Sequence, residues 1–479
     1  MIDFSHVKPA AVDTSRAKQP QTRQSLFEFE VVEIYERKLR ESPKAASRLN
    51  DVMAKVIAVL LFLMPVPYGA NRPLAWLAAI FLIGVLSAVY FAMIARLDPN
   101  RPTQFRNYRW VVFPGLAAVV WSVIQIIPIG GAALSETVSA TALAIPRMVS
   151  YALLFILISE VCTNRVRTEK LVTWIFYGIV AHAVWALLSL SVFGDTLLFQ
   201  AKTTYEGFAT GTFINRNSFA TYMGMGVVIG AAMVLFEMRS PARRSPNRKS
   251  RVKGFTTDAA YTTILVFVVF AALLASGSRL GLASTIVGAW ATIVLILLKT
   301  GISRIRVIIG SAAAAVIGGA VLAVMFGQSL LQRLVFLFVD SETRIELYRQ
   351  TLTMIGDRWA TGFGLDSYEI AFHGFHLPTL STSYIWDKPH NTYLTLWSEL
   401  GVIAGSLPML SVLIAFAMVA RSVFVRERSY FPAAAATGVI VLGAMHSLGD
   451  FSLEIAANTY VFVAIVALGL ARRSRAREY

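Results

Sequence analysis

The chain reads as an all-α, polytopic integral membrane protein with about twelve transmembrane helices and one large loop on the outer side. Three observations predict this. Of its 479 residues, 56% are hydrophobic and only 15% are charged, where a soluble domain carries about a quarter charged; mean hydropathy is +0.61. Apolar runs of about 16–28 residues recur along the sequence, most of them long enough for a hydrocarbon core of about 30 Å. Basic residues crowd into alternate connections, as the positive-inside rule requires of a chain that crosses repeatedly.

Residues 1–50 are polar and basic and read as a cytoplasmic tail. Within it, Leu26 to Leu39 sets Phe27, Val31, Ile34 and Tyr35 on one helical face among charges, the pattern of an interfacial helix or of a short helix packed on the membrane domain. Residues 51–326 hold the first nine spans, near 52–68, 74–95, 110–128, 146–163, 171–193, 217–237, 259–276, 282–298 and 307–326. The long loop covers 327–389. Residues 390–471 hold the last three spans, near 392–420, 431–446 and 456–471, and 472–479 form a basic cytoplasmic tail. No apolar run precedes residue 50, so the first span is expected to act as its own insertion signal, without a cleavable leader.

Charge sets the orientation. On one side the connections and the C-terminal tail hold 24 basic residues, seven of them between Arg239 and Lys253. The opposite short connections hold five, namely Arg72, Arg147, Lys202, Arg216 and Arg279. Both termini are therefore expected in the cytoplasm. This bias also accounts for the net charge of +16, so no nucleic-acid partner is expected. The single cysteine, Cys162, excludes an internal disulfide and a cysteine-based metal cluster.

With that orientation, three unusual stretches share the outer face. Gly211-Thr212-Phe213-Ile214-Asn215-Arg216-Asn217-Ser218 enters the sixth span, Ser276-Gly277-Ser278-Arg279-Leu280-Gly281 the eighth, and Lys388-Pro389-His390-Asn391-Thr392-Tyr393 the tenth. A helix N-terminus offers free N–H groups and about half a positive charge, which makes it an anion site. Two of the three add an arginine, whose planar fork matches phosphate oxygens, and flanking Gly, Ser and Asn allow close approach. The chemistry suggested is capture of a diphosphate, with His390 as an adjacent base of ordinary pKa near 6.5. The blander alternatives are headgroup anchoring for the arginines and helix capping for His390. His182, in the middle of the fifth span, reads as a hydrogen-bonded core residue. His373 and His376 lack a third ligand at metal spacing, so no metal and no cofactor is expected. His446, Asp450 and Glu454 form a polar cluster near the last hairpin, without an assigned role. The loop carries Tyr368, Phe372, Phe375, Tyr384 and Trp386, which suits sugar stacking or, equally, packing onto the membrane surface.

GTFINRNSFA, SGSRLG and HNTYLTLWSELGVIAG resemble the O-antigen ligase superfamily, which includes O-antigen and exopolysaccharide polymerases. Arg344 followed by GDRWATGFGLDSY is similar to the family's large-loop pattern, and the resemblance covers roughly 170–420. It implies a metal-independent, inverting glycosyl transfer of the GT-C type at the periplasmic face of a bacterial inner membrane. The implied donor is a glycan on undecaprenyl diphosphate. The implied acceptor is lipid A–core for a ligase, or another lipid-linked repeat unit for a polymerase. It further implies that Arg216 and Arg279 hold the diphosphate and that His390 takes the acceptor proton. Arg344, with Asn215, Asn391 and Tyr393, would position substrate. Membrane lipids and other polysaccharide-assembly proteins are the implied partners. A twelve-helix flippase is the reading from another class. It would place polar or broken helices at the bilayer midplane, whereas here ionisable residues gather at one surface.

Overall fold

The computed structural model describes residues 44–471 except 199, 240–256, 312–342, 384 and 428. The Leu26–Leu39 stretch, most of the ninth span, the start of the long loop and the C-terminal tail lie outside the described residues. Within them the chain is a helical bundle: α1 (44–63), α2 (Pro73–Leu97), α3 (Phe105–Gln125), α4 (Val138–Val161) and α5 (Arg165–Ser191) come first. A two-residue hairpin, β1 (Thr196–Leu197) with β2 (Gln200–Ala201), leads into α6 (Arg216–Arg239), α7 (Thr257–Ala275), α8 (Arg279–Lys299) and α9 (304–311). After 342 come α10 (343–357), α11 (Tyr368–Phe372), α12 (Thr392–Leu400), α13 (Val402–Val425), α14 (Phe431–His446) and α15 (Ala456–Leu470).

Eight of these helices, α2 to α8 and α13, are long and apolar enough to cross a membrane, and α14 and α15 are shorter apolar helices. Continuous apolar sequence makes them helical, because a helix satisfies every backbone polar group internally where water is absent. Their outer faces carry exposed Leu74, Phe81, Leu82, Ile264, Phe267 and Leu413, which suits contact with lipid chains. Helix α6 is the most enclosed of the eight. It packs on α5, α7, α8 and α14, and its apolar side chains from Phe219 to Met233 are nearly all buried. His182 on α5 sits where the sequence suggested, with Nε2 donating to the Phe62 carbonyl at 2.9 Å.

Two expectations are corrected. The tenth span is not one helix over 392–420, because the chain breaks at Gly401, whose φ is +79°. There Trp397 Nε1 donates to Ser406 Oγ at 3.0 Å, residues that a straight helix would hold about 13 Å apart. The last carbonyls of α12 turn instead to the preceding loop: Phe363 N donates to Ser398 O and Gly364 N to Glu399 O, both at 2.9 Å. A Cβ at position 401 would lie 2.5 Å from the Ala360 carbonyl oxygen, so only glycine fits this corner. Helix α12 therefore lies across one end of the bundle, from the C-terminal end of α14 (Thr392 N to Ser447 O, 3.1 Å) to that of α3 (Gln125 Nε2 to Glu399 O, 2.8 Å). The second correction concerns Arg147. It is not in a connection but inside α4, half-buried, with its guanidinium 5.4 Å from the Trp76 ring centroid.

Candidate functional site

Arg216 and Arg279 are the first residues of α6 and α8. Each start is fixed by the residue before it. Asn215 Oδ1 accepts from Asn217 N at 2.7 Å, and Ser278 Oγ accepts from Gly281 N at 3.2 Å, the capping role of short polar side chains. Arg216 lies over two rings, 4.5 Å from the centroid of Phe208 and 5.5 Å from that of Tyr205. Among the described residues no carboxylate is within ion-pair distance of Arg216 or Arg279. Arg344, at the start of α10, reaches the same end of the bundle and donates Nη1 to Gly449 O at 3.1 Å. Gly449 in turn packs beside Leu280, the neighbour of Arg279. The Arg344 guanidinium and the N-termini of α6 and α8, which open on Arg216 and Arg279, thus lie around the α14–α15 connection.

His390 closes this group. Its backbone is left-handed (φ +53°), a conformation uncommon outside glycine. The conformation is over-determined by its neighbours. Tyr348 donates its hydroxyl to the His390 carbonyl at 3.2 Å, and the ring packs on Phe451 at 5.0 Å between centroids. Asn391 caps α12, its Oδ1 accepting from Tyr393 N (3.0 Å) and Leu394 N (3.2 Å), and its Nδ2 donating to Leu448 O at 2.9 Å. His390 Nδ1 is enclosed and has no hydrogen-bond partner among the described residues. Burial is the largest influence on the ring and lowers its pKa below 6.5; Arg344 lowers it further, while Asp450, Asp387 and Glu454 pull the other way. The imidazole is therefore neutral at pH 7, the form that can accept a proton.

Asp450 sits between the start of α6 and the α14–α15 connection. Its side chain is fully buried, accepts from Asn217 Nδ2 at 2.9 Å and from Ser452 Oγ at 2.5 Å, and lies 4.0 Å from His446 Nδ1. Asn217 follows Arg216, so this carboxylate pins the start of α6 to the α14–α15 connection.

Behind His390 lies an ionic cluster that sequence reasoning missed. Lys388 Nζ is 3.3 Å from Asp366, 3.3 Å from Glu454 and 3.8 Å from Glu399, while Arg147 is 3.3 Å from Asp366. Two cations thus face three carboxylates. Burial pushes the Glu399 carboxyl up to about 7, the nearby Asp366 and Glu454 charges adding to the rise while Lys388 opposes it. The same carboxylates hold Lys388 firmly charged, overcoming the burial that would lower it. One signal was present: Glu399 is a lone carboxylate in an apolar run, and such residues mark a buried partner or a site.

Of the residues singled out from the sequence, the structure brings Arg216, Arg344 and His390 around Asp450, and Arg279 beside them through Leu280 and Gly449. Asn215, Asn391 and Tyr393 are engaged in architecture. The first two cap helices, and Tyr393 donates its hydroxyl to Ala444 O at 2.9 Å. Glu454 and Asp450, left without a role, both belong to the site. His376 packs on Phe372 at 6.0 Å between ring centroids.

Compared with known families, residues 264–409 match the family described as O-antigen ligase. The matched segment contains Arg279, Arg344, Lys388, His390 and Glu399, while Arg216 and Asp450 lie outside it. No curated protein matches the chain.

Proposed function

We propose, for a chain whose residues 264–409 match the O-antigen ligase family, an inverting transfer of a glycan from undecaprenyl diphosphate to lipid A–core at the periplasmic face of the inner membrane. The observation that carries this reading is the meeting, at one end of a membrane bundle, of a neutral histidine with two helix N-termini that open on Arg216 and Arg279, neither of them paired with a carboxylate among the described residues. Arg216 and Arg279, with the N–H groups opening α6 and α8, bind the diphosphate and stabilise the charge that grows on it as the glycosidic bond breaks. This clamp supplies the positive charge within the protein itself. His390 takes the proton from the acceptor hydroxyl; because Nδ1 is enclosed, Nε2 is the nitrogen left for it. The hydroxyl oxygen then attacks the anomeric carbon from the face opposite the diphosphate, which inverts its configuration. Arg344, tied to Gly449, holds the third side of the site.

A single-turnover measurement with His390→Ala tests the assignment. A general base contributes about 10²–10⁴-fold, so the rate falls by about that factor while donor affinity is retained. A variant that loses donor binding and keeps its turnover rate overturns the role of His390 as base.

A further inference from the structure

We infer that Phe208 and Tyr205 are positioning residues for Arg216, held in place by the ion pair of the buried Lys202 with Asp195. The inference rests on the reading that Arg216 binds the donor's diphosphate. An arginine that opens a membrane helix would ordinarily reach along its flexible stem for lipid headgroups. Arg216 does not have that freedom, because its guanidinium is laid over Phe208 at 4.5 Å and Tyr205 at 5.5 Å.

The turn that presents these rings is built from charges. The Lys202 side chain is only 3% exposed; Nζ pairs with Asp195 and donates to Phe208 O at 2.7 Å. The second oxygen of Asp195 accepts from Gly207 N at 2.6 Å. Ala209 N then donates to Ala275 O at 2.9 Å, which ties the turn to the end of α7. Such an ion pair contributes little to stability, and its role here is to hold the geometry of the turn. Both rings remain about one-third exposed, at 36%, so they are surface residues held in register rather than core.

Phe208 also touches the other arginine's turn. A Cβ on Gly277 would lie 2.6 Å from Phe208 Cδ1 and 3.5 Å from Arg216 Nη1. The bare glycine backbone therefore packs against the ring, and Phe208 fills the space between Arg216 and the Gly277-Ser278-Arg279 turn. The ring sets the spacing of the two N-termini that form the anion site. It also leaves the guanidinium planar and aimed, so that less side-chain entropy is lost when a phosphate binds.

The test is the Michaelis constant for the lipid-diphosphate donor, measured beside thermal stability. Phe208→Leu and Phe208→Met remove the ring and keep the bulk, and each raises donor KM about ten-fold with melting temperature unchanged, the effect expected of a cation–π contact. Phe208→Trp restores it to within about two-fold, because indole is the strongest such partner. Unchanged donor KM in Leu and Met variants overturns the inference, as does equal impairment in the Trp variant, which points to packing instead. Arg216→Ala, run alongside, separates the two claims: unchanged donor KM there overturns the diphosphate reading itself.

Discussion

At the residue scale the account stands on charges placed against the general bias of the chain. Arg216 and Arg279 were legible because basic residues are scarce on their side, and each opens a helix. Replacing either with alanine is expected to remove most transfer while membrane insertion persists; lysine restores it only in part, since it keeps the charge and loses the planar fork. Glycan transfer measured on folded, membrane-inserted variants checks this. The pH dependence follows from His390, whose pKa lies below 6.5 because of burial. A base works when neutral, so the rate falls as pH drops through that pKa, and the acid limb of the kcat profile has its midpoint below 6.5. A midpoint above that value would place an ionised carboxylate in control of the ring. Direction could not be read from the sequence, where Asp387 and the arginines oppose one another; enclosure by Phe451 and Tyr348 decides it.

At the scale of elements, the corner between α12 and α13 and the ion cluster behind His390 were hidden. The apolar run after Leu394 is continuous, and Gly401 within it costs a helix only about 1 kcal/mol. The break appears because the loop through Phe363 and Gly364 captures the last carbonyls of α12, a contact between segments over thirty residues apart. Gly401→Ala is expected to lower the melting temperature, since a side chain at φ +79° costs about 1–3 kcal/mol and meets the Ala360 carbonyl. Lys388 stands between three carboxylates from the long loop, α12 and the α14–α15 connection. Lys388→Met leaves these carboxylates facing one another, and loss of this partly buried cation is expected to lower the melting temperature. Glu399 gives a matching pH effect. Its folded pKa is raised from 4.5 to about 7, so its contribution is complete below pH 4.5 and is lost as pH rises through about 7. Glu399→Gln is expected to flatten that part of the melting profile, which thermal unfolding across pH 4 to 8 would reveal.

At the scale of the whole molecule, the membrane class and most helix positions were written in hydropathy alone, because each apolar run must satisfy its own backbone. Arg147 was misplaced for a related reason: a charge within a run looks like a boundary until Asp366 is seen beside it. The proposed orientation has a direct check in cysteine labelling of a Cys162-free chain. An impermeant reagent outside the cytoplasm is expected to modify Glu369→Cys, near the site, and to spare Asn100→Cys in the α2–α3 connection. The central claim is the transfer itself. Purified protein in lipid vesicles, given an undecaprenyl-diphosphate-linked glycan and lipid A–core in the presence of EDTA, is expected to release undecaprenyl diphosphate and yield a glycoside of inverted anomeric configuration. Retained configuration, or transfer that stops with the chelator and resumes with Mg²⁺, would contradict it.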